Sequence, residues 1–217
     1  MDRIRPLPRG FFISFEGVEG AGKSTQARLL AEALSGRGYA VLPTREPGGT
    51  PVGEELRRLL TEAAPDRSLC PETELLLMCA SRAQLLRDVI RPFLARGGIV
   101  VCDRFADSTT AYQGYARGLD LEVIRALHRL TVGDRWPDLT FILDLEPGAG
   151  LDRIRTRAGA AGRDRFEAEA PAFHQAVRAG FLAVAAAEPG RVRVLSAAPP
   201  AAELHRHILE CVTDALG

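Results

Sequence analysis

The chain has 217 residues, which fits one compact domain with a sizeable buried core. Its 28 acidic residues balance its 28 lysines and arginines, so no net basic charge indicates binding to nucleic acid or to a membrane surface. No apolar run is long enough to cross a bilayer, and the apolar segment after the basic first ten residues is too short for a secretory signal. We therefore expect a cytoplasmic protein with a flexible N-terminal tail over residues 1–10.

Short apolar runs alternate with longer stretches of helical periodicity, which is typical of a series of β–α units. The apolar runs are continuous, so they predict a parallel sheet covered by helices on both faces. We expect strands at 11–15, 39–43, 98–102, 139–145 and 191–195, and helices beginning at 24, 53, 71, 121, 172 and 200. The helix that begins at 71 is expected to reach about 94. Ligands of such sheets bind at the carboxyl ends of the strands, so the loops there should converge.

The loop after the first strand carries the most specific motif. The stretch from Gly17 to Ser24 reads G-x-x-x-x-G-K-S, a complete phosphate-binding loop. Lys23 is the only lysine in a chain that otherwise uses arginine, and it stands where a slim ammonium must reach the β- and γ-phosphates. The alternative, a Gly-rich turn with an incidental lysine, is disfavoured by the strand before the loop and the helix after it. We predict nucleoside triphosphate binding by Gly17, Val18, Glu19, Gly20, Ala21, Gly22, Lys23, Ser24 and Thr25.

Two classes of phosphate-loop protein compete at this point, a small-molecule phosphotransferase and a nucleotide-driven switch or motor. A GTPase switch usually reads guanine with an Asn-Lys-x-Asp loop, but this chain has no asparagine and its one lysine is already used. A motor needs larger assembly regions than 217 residues allow. The kinase class predicts a second group of arginines for an acceptor phosphate and a mobile basic lid.

Candidates for both features are present. Arg45 and Glu46 lie in the Gly-rich loop 44–50, and Asp103 and Arg104 follow the third strand directly. The first pair also fits a surface turn with solvated charges, whereas the second, after a buried strand, favours a functional role. Five arginines surround the small-residue run 158–162, namely Arg153, Arg155, Arg157, Arg163 and Arg165. We predict a lid over about 148–166, and a solvated basic helix is the alternative.

Taken together, these residues resemble the bacterial thymidylate kinase family. The matching stretches are 15–26, 44–50, 81–84, 103–113 and 164–167, in consistent order from about residue 11 to the end of the chain. Arg-Glu-Pro-Gly-Gly-Thr at 45–50 and Ala-Tyr-Gln-Gly at 111–114 are not generic kinase motifs. The resemblance implies an α/β fold of the P-loop NTPase type, with a central five-stranded parallel sheet flanked by helices, in a single kinase domain over 11–217.

The resemblance also implies roles in phosphoryl transfer. Lys23 and the loop amides hold the donor phosphates, and the implied metal site for Mg²⁺ is Ser24, Glu46 and Asp103. Arg45 and Arg104 grip the phosphate of dTMP, because planar guanidinium groups suit an ion with several free oxygens. Glu19 approaches the sugar 3′-hydroxyl. The implied catalytic residues are Lys23, Asp103, Arg104 and the lid arginines Arg153, Arg157 and Arg163, which stabilise charge on the moving phosphoryl group.

The base would be read by residues of two helices. Thr109, Tyr112 and Gln113 stand at i, i+3 and i+4 and therefore share one helix face, although simple packing gives the same pattern. By resemblance, Thr109 and Gln113 bind thymine N3–H and O2 or O4, and Tyr112 crowds C2′ against a ribonucleotide. The remaining implied dTMP-binding residues are Arg82, a donor to thymine O4, together with Pro47, Arg57 and Met78. The family commonly has phenylalanine in place of Met78, so a softer sulfur–ring contact would replace stacking.

The activity implied is ATP- and Mg²⁺-dependent phosphorylation of dTMP to dTDP by a cytoplasmic homodimer. ATP and dTMP are then the expected partners, with no nucleic acid and no membrane. Three alternatives stay open on sequence grounds. They are a kinase for another monophosphate such as dUMP, UMP or GMP, a deoxynucleoside kinase, and a nucleotide-hydrolysing regulator with no small-molecule acceptor.

Overall fold

The computed structural model describes residues 7–62, 68–158 and 165–217, without the side chains of residues 157 and 158. Five strands form one parallel sheet in the order β2-β3-β1-β4-β5. Their bounds are β1 Phe11–Glu16, β2 Val41–Arg45, β3 Ile99–Asp103, β4 Leu139–Asp144 and β5 Val192–Ser196. The predicted five-stranded parallel α/β fold is therefore confirmed.

The helices cover both faces of the sheet, as continuous apolar strands require. Their bounds are α1 Lys23–Gly36, α2 Pro51–Thr61, α3 Pro71–Leu85, α4 Arg91–Leu94, α5 Ala106–Thr109, α6 Leu121–Thr131, α7 Pro147–Ala158, α8 Pro171–Ala187 and α9 Ala201–Leu216. Two π-helical segments join the series, π1 Leu86–Ile90 and π2 Thr110–Ala116.

The core consists of two main clusters separated by the sheet. Ile13 and Val101 belong to a cluster with Leu30 of α1 and Ile208 of α9. The alternate strand positions, such as Val100, pack in the other cluster with residues of α3, π1 and α4. Both clusters are buried, so β1, β3 and β4 form a rigid base whose carboxyl ends carry the loops of interest.

Two predicted elements differ from the structure. The second strand was expected at 39–43, but it runs over Val41–Arg45, which brings Arg45 into register beside Asp103. The single helix expected over 71–94 is interrupted by π1, which ends at Ile90. Pro92 follows two residues later, in the short helix α4. Proline has no N–H to donate to the carbonyl four residues earlier, so the regular ladder cannot continue there unchanged.

The predicted tail is described only from residue 7 onward, and residues 1–6 lie outside the described part. The Leu7 N–H donates to the carbonyl of Gly97 at 3.0 Å, and the Arg9 guanidinium pairs with Asp138. The described end of the tail is therefore attached to the loops at the amino end of the sheet.

Candidate active site

The phosphate-binding loop connects β1 to α1 and has the conformation that its glycines permit. Gly20 has φ 73°, and a Cβ there would lie 2.1 Å from the carbonyl oxygen of Gly150. Gly22 has φ 93° and immediately precedes the first residue of α1. Residues other than glycine rarely adopt these left-handed backbone angles. The glycines at their motif positions therefore allow a tight loop that ends at a helix N-terminus.

Lys23 lies at the centre of the loop. Its Nζ donates to the carbonyl of Val18 at 2.7 Å, and only 7% of the residue is exposed. Burial and the nearby positive charge of Arg104 together lower the pKa of Lys23 to about 8, against the raising effect of Glu19. The ammonium is therefore charged at neutral pH, and the carboxylates of Glu19 and Asp103 favour that charge.

An open cavity extends from the loop across the N-terminus of α1. It is lined by Glu19, Gly20, Gly22, Lys23, Ser24, Thr25, Arg57, Arg104, Arg153, Ile154 and Glu167. Loop amides, one lysine and three arginines therefore surround a single space, which suits a polyphosphate. The structure thus brings together most of the predicted donor-phosphate residues and adds Arg57 and Arg153 to them.

A second cavity lies on the other side of Arg104. It is lined by Glu19, Glu46, Pro47, Met78, Arg82, Arg104, Phe105, Ser108, Thr109, Tyr112, Gln113 and Phe166. Eight of these twelve belong to the predicted dTMP-binding set. Glu19 and Arg104 line both cavities, so the two spaces meet at these two side chains.

Hydrogen bonds hold Arg104 at that junction in a strained backbone conformation. It is the one non-glycine residue with positive φ in the described part of the chain, at 70°. Its Nη2 donates to Glu19 at 2.9 Å and to the Tyr112 hydroxyl at 2.9 Å, and its Nη1 donates to the Gly17 carbonyl at 3.1 Å. Backbone strain of this kind persists where surrounding contacts enforce it, and it aims the guanidinium between the cavities.

Glu19 completes the junction as an ionised carboxylate. Burial would raise its pKa, but the charge of Arg104, the His174 imidazole 3.6 Å away and the charge of Lys23 together lower the pKa of Glu19 to about 2. Tyr112 also donates its hydroxyl to the same carboxylate. The junction therefore holds a fixed negative charge between Arg104 and Lys23, in reach of a ligand hydroxyl.

The far end of the second cavity is polar but closed to solvent. Arg82 is 1% exposed, donates its Nε to Glu46 at 2.8 Å, and donates an Nη2 hydrogen to Thr109 at 2.9 Å. Its Nη1 has no hydrogen-bond partner within the described residues. A buried unpaired donor is costly, so this atom marks a place where a ligand acceptor fits.

Glu46 lies with Arg82, away from the hydroxyl of Ser24, although it was expected to hold the metal. Burial raises the pKa of Glu46 to about 7, against the lowering effect of Arg82. Ser24 instead donates to the carboxylate of Asp103, which ends β3. The structure therefore joins two of the three predicted metal ligands, and the part of Glu46 stays a prediction.

Arg45 does not line either cavity. Its guanidinium pairs with Glu54 at 2.9 Å and is half exposed, at the edge of a cleft that also contains Ser24 and Asp103. Arg57 donates to the carbonyl of Pro47 at 3.0 Å and faces the donor cavity. Of the two arginines expected at the acceptor phosphate, only Arg104 lies at the junction.

The predicted lid is described in part. Its first portion is the helix α7, where Arg153 donates to the carbonyl of Ala197 at 3.0 Å and Arg155 forms an exposed pair with Asp152. The side chain of Arg157 and the whole of Arg163 lie outside the described residues. Arg153 is thus the predicted catalytic lid arginine that the structure places at the donor cavity.

Several cavity residues escaped the sequence reasoning. Phe105 and Ser108 line the second cavity, and both accompany a buried carboxylate: Glu16 accepts from the Phe105 N–H at 2.7 Å and from the Ser108 hydroxyl. Burial raises the pKa of Glu16 to about 8. Phe166 lines the same cavity and packs edge-on against Tyr112, with ring centroids 5.8 Å apart. A charged residue at the end of an apolar strand was the available signal for Glu16, and Phe166 lies in the matching stretch 164–167, although no role was assigned to it.

Comparison with known proteins agrees with this geometry. The family model described as Thymidylate kinase matches residues 15–208. The chain is 53% identical over 200 residues to a thymidylate kinase of Pseudomonas fluorescens, with 92% of this chain and 93% of the relative covered. It is 50% identical over 198 residues to a thymidylate kinase of Desulfosudis oleivorans, with 89% and 92% covered.

A solved structure is similar as well. The thymidylate kinase of Ehrlichia chaffeensis superposes with a TM-score of 0.75 at 37% identity, over 94% of this chain and 99% of that one. The resemblance seen in the sequence is confirmed by a family model over most of the chain and by relatives of nearly equal length. The chain belongs to the thymidylate kinase family and is therefore a kinase.

Proposed function

We propose that the protein transfers the γ-phosphoryl group of ATP to the 5′-phosphate of dTMP, giving dTDP and ADP. One observation carries this proposal: the cavity that suits a polyphosphate and the second cavity meet at Arg104 and Glu19. A donor phosphate and an acceptor phosphate bound in the two cavities would both contact one guanidinium group. Membership of the thymidylate kinase family supports the same pair of substrates.

The chemistry follows from this placement. The bond from the γ-phosphorus to its bridging oxygen breaks with its electrons leaving on ADP, while an oxygen of the acceptor phosphate forms the new bond. The acceptor is already ionised, so no strong general base is needed. Lys23, Arg104 and Arg153 surround the transferring group, and their fixed positive charges stabilise the charge that spreads over its oxygens.

A divalent cation fits beside the phosphate loop. The Ser24 hydroxyl and the Asp103 carboxylate are hydrogen bonded, so both are oxygens within reach of one ion. Mg²⁺ is usually held by one or two protein oxygens together with waters and substrate phosphates. In the described part of the chain, no group of three His, Cys, Asp or Glu residues could hold a metal by itself. We propose that Ser24 and Asp103 hold Mg²⁺ with ATP, where it would neutralise phosphate charge.

Glu19 and Tyr112 select the sugar in this proposal. The Glu19 carboxylate, ionised because its pKa is about 2, accepts a hydrogen bond from the 3′-hydroxyl of the acceptor. Tyr112 donates to Glu19 and packs against three phenylalanine rings, so its position is fixed. A fixed ring beside C2′ leaves no room for a ribose 2′-hydroxyl.

We propose further that the protein is a cytoplasmic homodimer, since its two substrates are cytoplasmic metabolites. Exposed apolar side chains on α2, α3 and α6 support a shared surface, namely Val52, Leu59, Leu76, Val123 and Leu130. Sedimentation of the wild type and of Leu76→Glu tests the dimer, because a charge in an apolar interface should give a monomer. Within the described residues, no helix is long and apolar enough to span a membrane.

The first experiment is an ADP-release assay with Mg·ATP and a panel of acceptors. The panel is dTMP, dUMP, UMP, dCMP, dGMP, GMP and thymidine. Preference for dTMP is the expected result. Faster turnover of another monophosphate would keep the mechanism and overturn the base assignment, and turnover of thymidine would indicate a nucleoside kinase. Acceptor-independent hydrolysis alone would contradict the proposed function.

A further inference from the structure

Glu74 of α3 is a buried carboxylate with contacts on two other segments, π2 with its C-cap and the segment that contains Arg165. It is 0% exposed and accepts from the Gln113 Nε2 at 2.7 Å. Arg117 donates to both of its oxygens, at 3.3 and 3.2 Å, and Arg165 donates to Oε2 at 2.6 Å. The two guanidinium groups compensate for the buried negative charge, which would otherwise be costly. Glu74 does not line the second cavity, but Gln113 does.

The contact with Glu74 decides which way the amide of Gln113 points. An ionised carboxylate only accepts hydrogen bonds, so the Gln113 group that faces it must be the NH₂. The amide oxygen of Gln113 is then left for the cavity, which Gln113 lines. Gln113 therefore presents an acceptor to the ligand, although glutamine by itself could present either group.

Arg82 supplies the complementary feature at the same end of the cavity. Its unpaired Nη1 is a donor, and a guanidinium group has no acceptor. A donor and an acceptor that line the same cavity match the C4=O and N3–H edge of thymine or uracil. Cytosine has an amino group at C4 and a bare N3, so it mismatches both positions.

We propose that Glu74 is a specificity-determining positioning residue, which fixes the amide of Gln113 so that the cavity accepts a base with an N3–H and rejects cytosine. This inference rests on the proposed function of the cavity. Glu74 acts through Gln113 and does not touch the substrate.

The test substitutes Glu74→Gln and measures kcat/KM for dTMP and for dCMP. The amide oxygen of the new glutamine should stay with Arg117 and Arg165, at the position of the more strongly bonded Oε2. Its NH₂ then faces Gln113, which must turn its own oxygen toward it and its NH₂ toward the cavity. We expect the dTMP-to-dCMP ratio of kcat/KM to fall about tenfold, which is the typical effect of one mismatched hydrogen bond. Equal losses for both substrates would overturn the inference and leave Glu74 a structural role.

Two comparisons separate positioning from stability. Asp107→Asn makes the same carboxylate-to-amide change in another buried ion pair, with Arg191 at 2.7 Å, outside the second cavity. It should lower the melting temperature and leave the dTMP-to-dCMP ratio unchanged.

Gln113→Leu removes the amide through which Glu74 is proposed to act. The double variant Glu74→Gln/Gln113→Leu should therefore have the same dTMP-to-dCMP ratio of kcat/KM as Gln113→Leu alone. A further tenfold fall in the double variant would contradict action through Gln113.

A measurement on the wild type covers the case in which Glu74→Gln does not fold. In ¹⁵N-labelled protein, the Gln113 side-chain NH₂ signal is assigned by its absence in Gln113→Leu. We expect its hydrogens to exchange slowly before dTMP is added and its shift to change little on binding, since Glu74 already holds the group. Rapid exchange that slows only with dTMP would mean that the NH₂ faces the cavity, and would overturn the inference. A wild type with no preference for dTMP over dCMP would instead contradict the proposed function.

Discussion

The base end and the donor-phosphate end of the active site are built in opposite ways. At the base end, Arg82, Thr109 and Gln113 are each 1% exposed and are bonded to one another or to buried carboxylates. At the donor end, Ser24 and Arg153 are exposed around a cavity with an excess of positive charge. The difference indicates a division of tasks: selection of a base needs fixed groups in a buried pocket, whereas exposed positive charge suits a polyphosphate.

The largest expected effect tests the donor end. Lys23→Ala should lower kcat by on the order of 10³, because the ammonium at the β- and γ-phosphates is lost while the packing of the loop on β1 and β4 remains. Steady-state kinetics with saturating dTMP measure it. Arg28→Ala, an exposed arginine of α1 paired with Glu32, is the matched control and should be silent. A Lys23 variant with most of its activity would show that the loop is not the donor site.

A substitution at the junction between the two ends should mainly impair use of the acceptor, dTMP. Arg104→Ala removes donors to Glu19, Tyr112 and the acceptor phosphate, so kcat/KM for dTMP should fall on the order of 10². Titration of dTMP at saturating ATP separates this from a donor defect. Arg125→Ala removes an exposed pair with Glu122 and serves as the control. Unchanged dTMP kinetics would place the acceptor phosphate elsewhere.

The two ends should also differ in their response to pH. The pKa of Lys23 is lowered to about 8, so its charge is present below that pH and is lost as the pH rises through it. We expect kcat/KM for ATP to fall about tenfold per unit above that pKa, because this parameter reports the free enzyme. The pKa of Glu19 is lowered to about 2, so the sugar contact should not change from pH 6 to 9. A profile for ATP that stays flat to pH 9.5 would contradict the assignment.

The smallest expected effect lies at the base end. Met78 is partly buried and lines the cavity, at the position where the sequence resemblance implies a phenylalanine in the family. Met78→Phe should lower the KM for dTMP about two- to tenfold, the range of an aromatic stacking contact. Initial rates at varied dTMP measure it. A raised KM would mean that the cavity of this protein has no room for the larger ring.

Much of this molecule could be predicted from local sequence. Apolar runs predicted all five strands, and the signal is clearest for β1, β3 and β4, because a strand buried on both faces must be apolar throughout. The edge strands β2 and β5 are partly exposed. The Gly17–Ser24 motif located the loop, because left-handed turns require glycine and a phosphate requires backbone N–H groups at a helix start. The spacing of Thr109, Tyr112 and Gln113 placed all three in one cavity, although the segment is largely π-helical.

Long-range contacts decided the rest. The pairing of Arg82 with Glu46, of Gln113 with Glu74 and of Arg104 with Glu19 joins residues separated by 36, 39 and 85 positions. No local pattern encodes such pairs, because they arise when strands and helices distant in sequence meet at one edge of the sheet. The sequence by itself therefore predicted a phosphate donor and the loop expected to bind it. Only the tertiary structure decided which arginine lies between the two cavities and which group of Gln113 faces Glu74, since a buried polar group takes the partner that folding brings to it.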